Sequence, residues 1–149
     1  MIELGHVTDR KPPFRYAAYT RVGFSDTDAQ AVVYYGRYLP YFDQARTEYH
    51  RHLGGVGIRD QFAMRASAVE YHAPARFDDL VEVFVRVERI GTTSVTYALA
   101  AYGLADEKPD VLLATAKQTI VALDLASRRP IPVPDSFRKP VTEFEELSD

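Results

Sequence analysis

At 149 residues, 46% hydrophobic and 26% charged, the chain is long enough for one domain with a substantial core. Its formal charge of −3 offers no clustered basic excess for nucleic acid, and the absence of cysteine excludes a disulfide framework, a thiolate nucleophile and a Cys-ligated metal, a composition compatible with a reducing cytoplasm. No run approaches the ~18 apolar residues of a membrane span, and Met1 to Pro13 lacks an apolar h-region, so it reads as a leader without targeting function.

Phe14 to Phe24, rich in Tyr, Thr and Val with loose alternation, predicts a first strand. A loop with two acids one residue apart, Asp26 and Asp28, leads into the one long stretch of helical periodicity. There Tyr38, Tyr41, Phe42, Ala45, Tyr49 and Leu53 recur at threes and fours and share one stripe. Proline is tolerated where its missing N–H would be unpaired, so Pro40 belongs in the first turn and the helix starts near Gly36 or Arg37. Gly54, Gly55 and Gly57 suit its left-handed cap and the turn beyond.

Four further strands are expected: Phe62 to His72, Leu80 to Ile90, Thr92 to Gly103 and Val111 to Asp124. In the second, Val81, Val83, Val85 and Val87 alternate with Glu82, Phe84, Arg86 and Glu88, which predicts one buried face and one only partly buried. Gly91 makes a tight connection, and Ala105 to Asp110 reads as an exposed hairpin loop. One strand, one helix and four strands predict an α+β fold, an antiparallel sheet around a central helix, because a βαβ repeat needs more helices. Pro130, Pro132, Pro134 and Pro140 predict an extended surface segment, and the acidic Thr142 to Asp149 reads as frayed. With no internal repeat, residues 1–149 form a single domain in which 1–13 and 125–149 are peripheral.

The helix entrance carries the chemistry. A helix N-terminus offers N–H groups without intrahelical partners, together with the positive end of the dipole, and so attracts developing negative charge. A folded-back loop can hold the Asp28 carboxylate beside those groups, which is a hydrolytic arrangement. In isolation, Asp28 is more often an acid that caps its own turn. Asp26 would point to the same side in an extended segment, where paired carboxylates raise one another's proton affinity; the stronger reading is structural, a carboxylate holding the loop through backbone N–H groups. His50 and His52 are two apart on the helix and face differently, so neither they nor the separate His6 and His72 imply a metal site. There is no Gly-x-Ser-x-Gly elbow.

Two blocks carry a family resemblance. Asp26-Thr-Asp28, the Val32-Val-Tyr-Tyr run, Tyr38 and Phe42-Asp-Gln-Ala-Arg-Thr-Glu48, with Val69-Glu-Tyr-His-Ala-Pro-Ala-Arg-Phe-Asp-Asp-Leu-Val81 in support, resemble the hotdog-fold acyl-CoA thioesterases of the 4-hydroxybenzoyl-CoA thioesterase and YbgC-like group. The likeness spans roughly residues 16 to 124 and implies a hotdog fold, with about five strands wrapped around one long helix. It places Asp28 on the catalytic aspartate, as nucleophile or general base, and the backbone N–H of Tyr35 on the oxyanion donor. Where the family usually has Gly, this chain has Ala31, which would be strained if the position needs a positive φ.

Asp43 matches an acidic position near the acyl end of the substrate, while Arg46 and Glu48 match residues read as helix-surface or inter-subunit contacts. Coenzyme A, as part of the substrate, needs positive charge for its phosphates; Arg76, Arg89 and Arg128 are the candidates, with Lys117 and Arg129 behind them. No metal or redox cofactor is implied. The resemblance further implies a homodimer or homotetramer, and it leaves open an acyl carrier protein as the partner delivering the thioester. A hotdog hydratase would need a His between Phe24 and Asp43, where there is none. A non-catalytic acyl-CoA-binding protein is a third reading.

Overall fold

The computed structural model describes residues 2–55 and 61–148. In chain order the elements are β1 (Gly5–Val7), β2 (Tyr16–Arg21), 3-10 turns at Phe24–Asp26 and Tyr35–Arg37, α1 (Tyr38–His52), β3 (Phe62–Tyr71), β4 (Leu80–Ile90), β5 (Ser94–Leu104), β6 (Val111–Ala122) and α2 (Asp135–Glu145). The strands make one antiparallel sheet in the order β1-β2-β4-β5-β6-β3. This is the α+β hotdog arrangement, with six strands among the described residues where about five were expected.

The helix begins at Tyr38, prolonged toward its N-terminus by the 3-10 turn, close to the start that Pro40 predicts. Its stripe works as the periodicity requires: Tyr38, Tyr41, Phe42, Ala45 and Tyr49 are buried in one cluster with Val81, Val83, Val85 and Val87 of β4 and Val95, Leu99 and Ala101 of β5. Full burial of Phe42 alone contributes about 2 to 3 kcal/mol. Gly54 takes a positive φ of 78° as the cap, whereas Gly57 lies outside the described residues.

The leader is not peripheral. Gly5–Val7 pairs with β2, and residues 8–14 cross the outer face of the sheet. There Phe14 meets Phe84 (5.9 Å), the Lys11 ammonium sits 4.3 Å above the Tyr102 ring, and Glu82 is ion-paired with Arg10 and lies 3.1 Å from His6 Nε2. Both Glu82 and Phe84 are 0% exposed, so this half of the second face of β4 is fully covered, while Arg86 and Glu88 further along stay partly buried, as expected.

The C-terminal expectation is corrected as well. Residues 130–133 are extended as predicted, with Ile131 N–H donating to Ala122 O and Val133 N–H to Thr92 O. Asp135–Glu145 is then a helix, with Pro140 inside it and with Phe137 and Val141 in the core. Pro140 removes one backbone donor, and burial of Phe137, Val141 and part of Phe144 outweighs that loss. Glu145 Oε2 accepts from the Tyr49 hydroxyl (2.6 Å) and from Val87 N–H (3.0 Å), tying α2 to both α1 and β4. No helix among the described residues is long and apolar enough to cross a membrane.

Candidate active site

The loop from β2 to α1 is built around Asp26. Its Oδ2 accepts from Gly23 N–H (2.9 Å) and the Tyr41 hydroxyl (2.8 Å), and its Oδ1 from Arg37 Nε (3.0 Å). Burial pushes the carboxyl up, but the Gly23 amide, the Tyr41 hydroxyl and the Arg37 guanidinium together hold it below the usual carboxylate range. Asp26 is therefore the ionised hub that fixes the loop to the helix, as its structural reading expects. The two carboxylates share no hydrogen-bond donor among the described residues.

Asp28 opens a tight reversal two residues later. Its N–H donates to Val32 O (2.9 Å), its O accepts from Ala31 N–H (2.9 Å), and its Oδ1 accepts from Gln30 N–H (2.8 Å) in an Asx turn. The carboxylate thus caps its own turn through Oδ1 while the residue stays half-buried. Ala31 has a φ of 63°, so the position where the resemblance leads one to expect Gly does need the left-handed region, and this chain holds it with a Cβ present. Bridges from Thr27 to Val33 and from Val32 to Arg76 lay the returning strand against the turn after β3, and Val33 N–H donates to Ala75 O (2.8 Å).

The returning strand delivers Tyr35 to the helix entrance. Tyr34 N–H is taken by Asp26 O, Arg37 N–H by Tyr34 O and Tyr38 N–H by Tyr35 O. Between them, the N–H groups of Tyr35 and Gly36 find no acceptor among the described residues. The Tyr35 side chain is 61% exposed, against the rings of Tyr34 (4.3 Å) and Tyr71 (6.2 Å). Gly36 and Tyr71 stand beside Tyr35 at the helix entrance, and sequence reading singled out neither as a candidate. The missing link is nonlocal: Tyr71, at the end of β3, donates its hydroxyl to Tyr35 O (3.1 Å).

Of the proposed substrate-binding residues, the structure brings only Arg76 to this end of the molecule, through its bridge to Val32 and its N–H bond to Asp79 Oδ2 (2.8 Å). Arg89 stands near the far end of β4, ~30 Å from Leu80 at ~3.3 Å per residue, beside Arg138. Arg128 lies in the turn after β6, with its N–H on Asp124 O (2.8 Å), also at the far end. Within one protomer neither reaches Asp28, because antiparallel strands carry their two ends to opposite sides of the molecule. Lys117, on the outer sheet face, is paired with Glu88.

Asp43 is exposed on α1 and ion-paired with Arg46; both line a cavity of about 200 Å³ with Phe62, Met64, Tyr97 and Ile120. Arg46 and Glu48, expected at the helix surface or between subunits, are both 6% exposed within the protomer. Glu48 Oε2 accepts from Leu4 N–H (3.1 Å) and so anchors the segment entering β1. His50 is buried against the Tyr97 hydroxyl (2.6 Å), and His52 meets Glu3 (3.2 Å).

The Thioesterase superfamily model matches residues 30–108. The acyl-CoA thioester hydrolase YbgC of Escherichia coli is 32% identical over 131 residues, covering 85% of this chain and 92% of the relative. The acyl-CoA thioesterase YbgC of Haemophilus influenzae is 30% identical over 124 residues, 79% and 88% of the two chains. Among solved structures, a Thermus thermophilus thioesterase complexed with coenzyme A and Zn superposes with a TM-score of 0.80 at 22% identity, covering 93% of this chain and 99% of the other. A mutant 4-hydroxybenzoyl CoA thioesterase complexed with 4-hydroxybenzoyl CoA does so with a TM-score of 0.75 at 17% identity, covering 84% and 96%. The structural likenesses bear on the fold, and the sequence matches carry the assignment: the chain belongs to the thioesterase superfamily.

Proposed function

We propose that the protein hydrolyses an acyl-CoA thioester to the free acid and CoA, with Asp28 as the reacting carboxylate and the Tyr35 amide as oxyanion donor. The observation that carries this reading is the placement of the Asp28 turn at a helix entrance whose next N–H groups have no acceptor among the described residues. The thioester carbonyl oxygen sits against the Tyr35 N–H, which strengthens its bond as negative charge develops there. Asp28 then acts in one of two ways. As nucleophile, it adds to the carbonyl carbon and expels the CoA thiolate to leave a mixed anhydride, which water cleaves to free acid and carboxylate; as general base, it takes a proton from water, whose oxygen adds to the carbon before thiolate leaves with a proton. The names of the YbgC relatives support CoA as the carrier. An acyl chain on a carrier protein presents the same thioester and is the alternative, and a binding-only hotdog protein is the reading in which Asp28 is idle. No cofactor is needed beyond the CoA of the substrate.

The assembly belongs to the same proposal. Edge strand β3 is exposed along most of its length, with Met64 at 44% and Tyr71 at 48%, and among the described residues it pairs on one side only, with β6. Pairing with β3 of a second copy covers it. Antiparallel pairing sets the far end of one protomer beside the Asp28 end of the other, the arrangement in which Arg89 and Arg128 can serve a shared substrate. Cytoplasmic residence and a single domain over 1–149 complete the reading. Thiol release from a panel of short, long, branched and aryl acyl-CoAs, comparing the native protein with Asp28→Asn, tests it. Release lost by about three orders of magnitude in a folded Asp28→Asn supports the roles given; undiminished release assigns the chemistry to another residue.

A further inference from the structure

Tyr71 supplies a polar contact that the proposed chemistry has not used. Its hydroxyl donates to Tyr35 O at 3.1 Å, and that carbonyl belongs to the same peptide unit as the Gly36 N–H. In a trans peptide the C=O and N–H point to opposite sides, so a bond that holds the carbonyl from β3 aims the N–H away from it. A hydrogen bond accepted by a peptide carbonyl also polarises its N–H, by ~10–30% of bond strength in a chain of such bonds. Tyr35 O accepts a second bond from Tyr38 N–H, so this peptide is polarised from two directions. The Gly36 N–H that results has no acceptor among the described residues, like that of Tyr35 beside it.

A Cβ on residue 36 would meet Tyr34 Cε2 at 2.9 Å, so the Tyr34 ring lies directly on the Gly36 backbone. The Tyr71 ring is fixed in turn by edge contacts with Tyr35 (6.2 Å) and Tyr38 (5.7 Å).

We propose that the Gly36 amide is a second oxyanion donor and that Tyr71 is the positioning residue that orients and polarises it through Tyr35 O. The proposal rests on the thioesterase reading above. Tyr71→Phe keeps the ring and removes the donor. Losing one oxyanion donor outright costs ~10²–10³ in kcat, and 10–30% of that on a logarithmic scale predicts that kcat falls roughly two- to eightfold. KM stays within about twofold, because the interaction strengthens only as charge develops.

The test measures kcat and KM of the native protein and of Tyr71→Phe on the best acyl-CoA of the panel, and the Gly36 amide ¹⁵N and ¹H shifts in both. A shifted Gly36 amide together with a kcat-only loss supports the proposal. An unmoved Gly36 amide, unchanged kcat, or a change confined to KM overturns it. If the native protein hydrolyses no thioester, the functional reading fails and this proposal with it; a moved amide with unimpaired turnover removes this proposal alone.

Discussion

Ala31→Gly should stabilise the protein. Ala31 holds a φ of 63°, where an L side chain costs roughly 1–2 kcal/mol relative to glycine. Its Cβ is exposed, so no packing is lost, and the N–H bond to Asp28 O is a backbone interaction that the substitution keeps. Against this, glycine raises the entropy of the unfolded chain by about 0.4–1 kcal/mol. The net expectation is a gain of about 0.5–1 kcal/mol, or ~1–4 °C in Tm for a domain of this size. Urea unfolding followed by far-UV circular dichroism at fixed protein concentration reads it directly, as a higher midpoint at unchanged slope. A lower midpoint would refute the strain argument, because it would mean that Ala31 contributes something the exposed Cβ does not reveal.

Further outcomes follow from the same geometry. Phe137→Ala should cost about 3–5 kcal/mol, since α2 is seated in the core through this ring; a loss under about 1 kcal/mol would restore the reading of Pro130 to Pro140 as an extended surface segment. Asp26, held below the usual carboxylate range, gives stability that is present above its unfolded pKa and lost as pH falls through the folded one. Asp26→Asn should therefore flatten the acid limb of the stability profile, and an unchanged limb counts against the hub. Glu145 has the opposite sign. Burial raises its carboxyl despite the Tyr49 and Val87 donors, so its ionisation destabilises the fold as pH rises through the elevated value. Glu145→Gln, whose amide oxygen can accept the same two bonds, should lose that decline in denaturant midpoint, and a decline that persists counts against the assignment.

What could be read from sequence was whatever is local and periodic. The α1 stripe from Tyr38 to Tyr49 and the valines of β4 fix their own elements because one side chain in three or four, or in two, must face the core. The block around Asp28 and Tyr35 was legible for a different reason, its resemblance to a family. What escaped was set by contacts distant in sequence. Gly5–Val7 is too short to show a period, and nothing in the alternation of β4 says that Arg10 and Phe14 will bury Glu82 and Phe84. The prolines around α2 gave an extended signal stronger than the spacing of Phe137, Val141 and Phe144. Charge made Arg46 and Glu48 look superficial, although both are buried. At the site, Gly36 and Tyr71 acquire meaning only when β3 ends beside the helix entrance.

The strand order also sets a sequence of events in time. Strands β4, β5 and β6 are chain neighbours that pair as successive hairpins, whereas β2 must find β4 across the whole of α1 and β3, with Arg21 opposite Leu80. Closing the short loops costs far less chain entropy than closing the long one. The three-stranded meander is therefore the natural nucleus, and the segment bearing Asp28 is ordered late, when β2 docks. Val85→Ala and Leu99→Ala should slow refolding, while Ala18→Gly in β2 should chiefly speed unfolding. The reverse pattern would place the nucleus in β2 and α1 instead. On this order of assembly, the candidate catalytic turn is shaped only after the rest of the sheet can hold it.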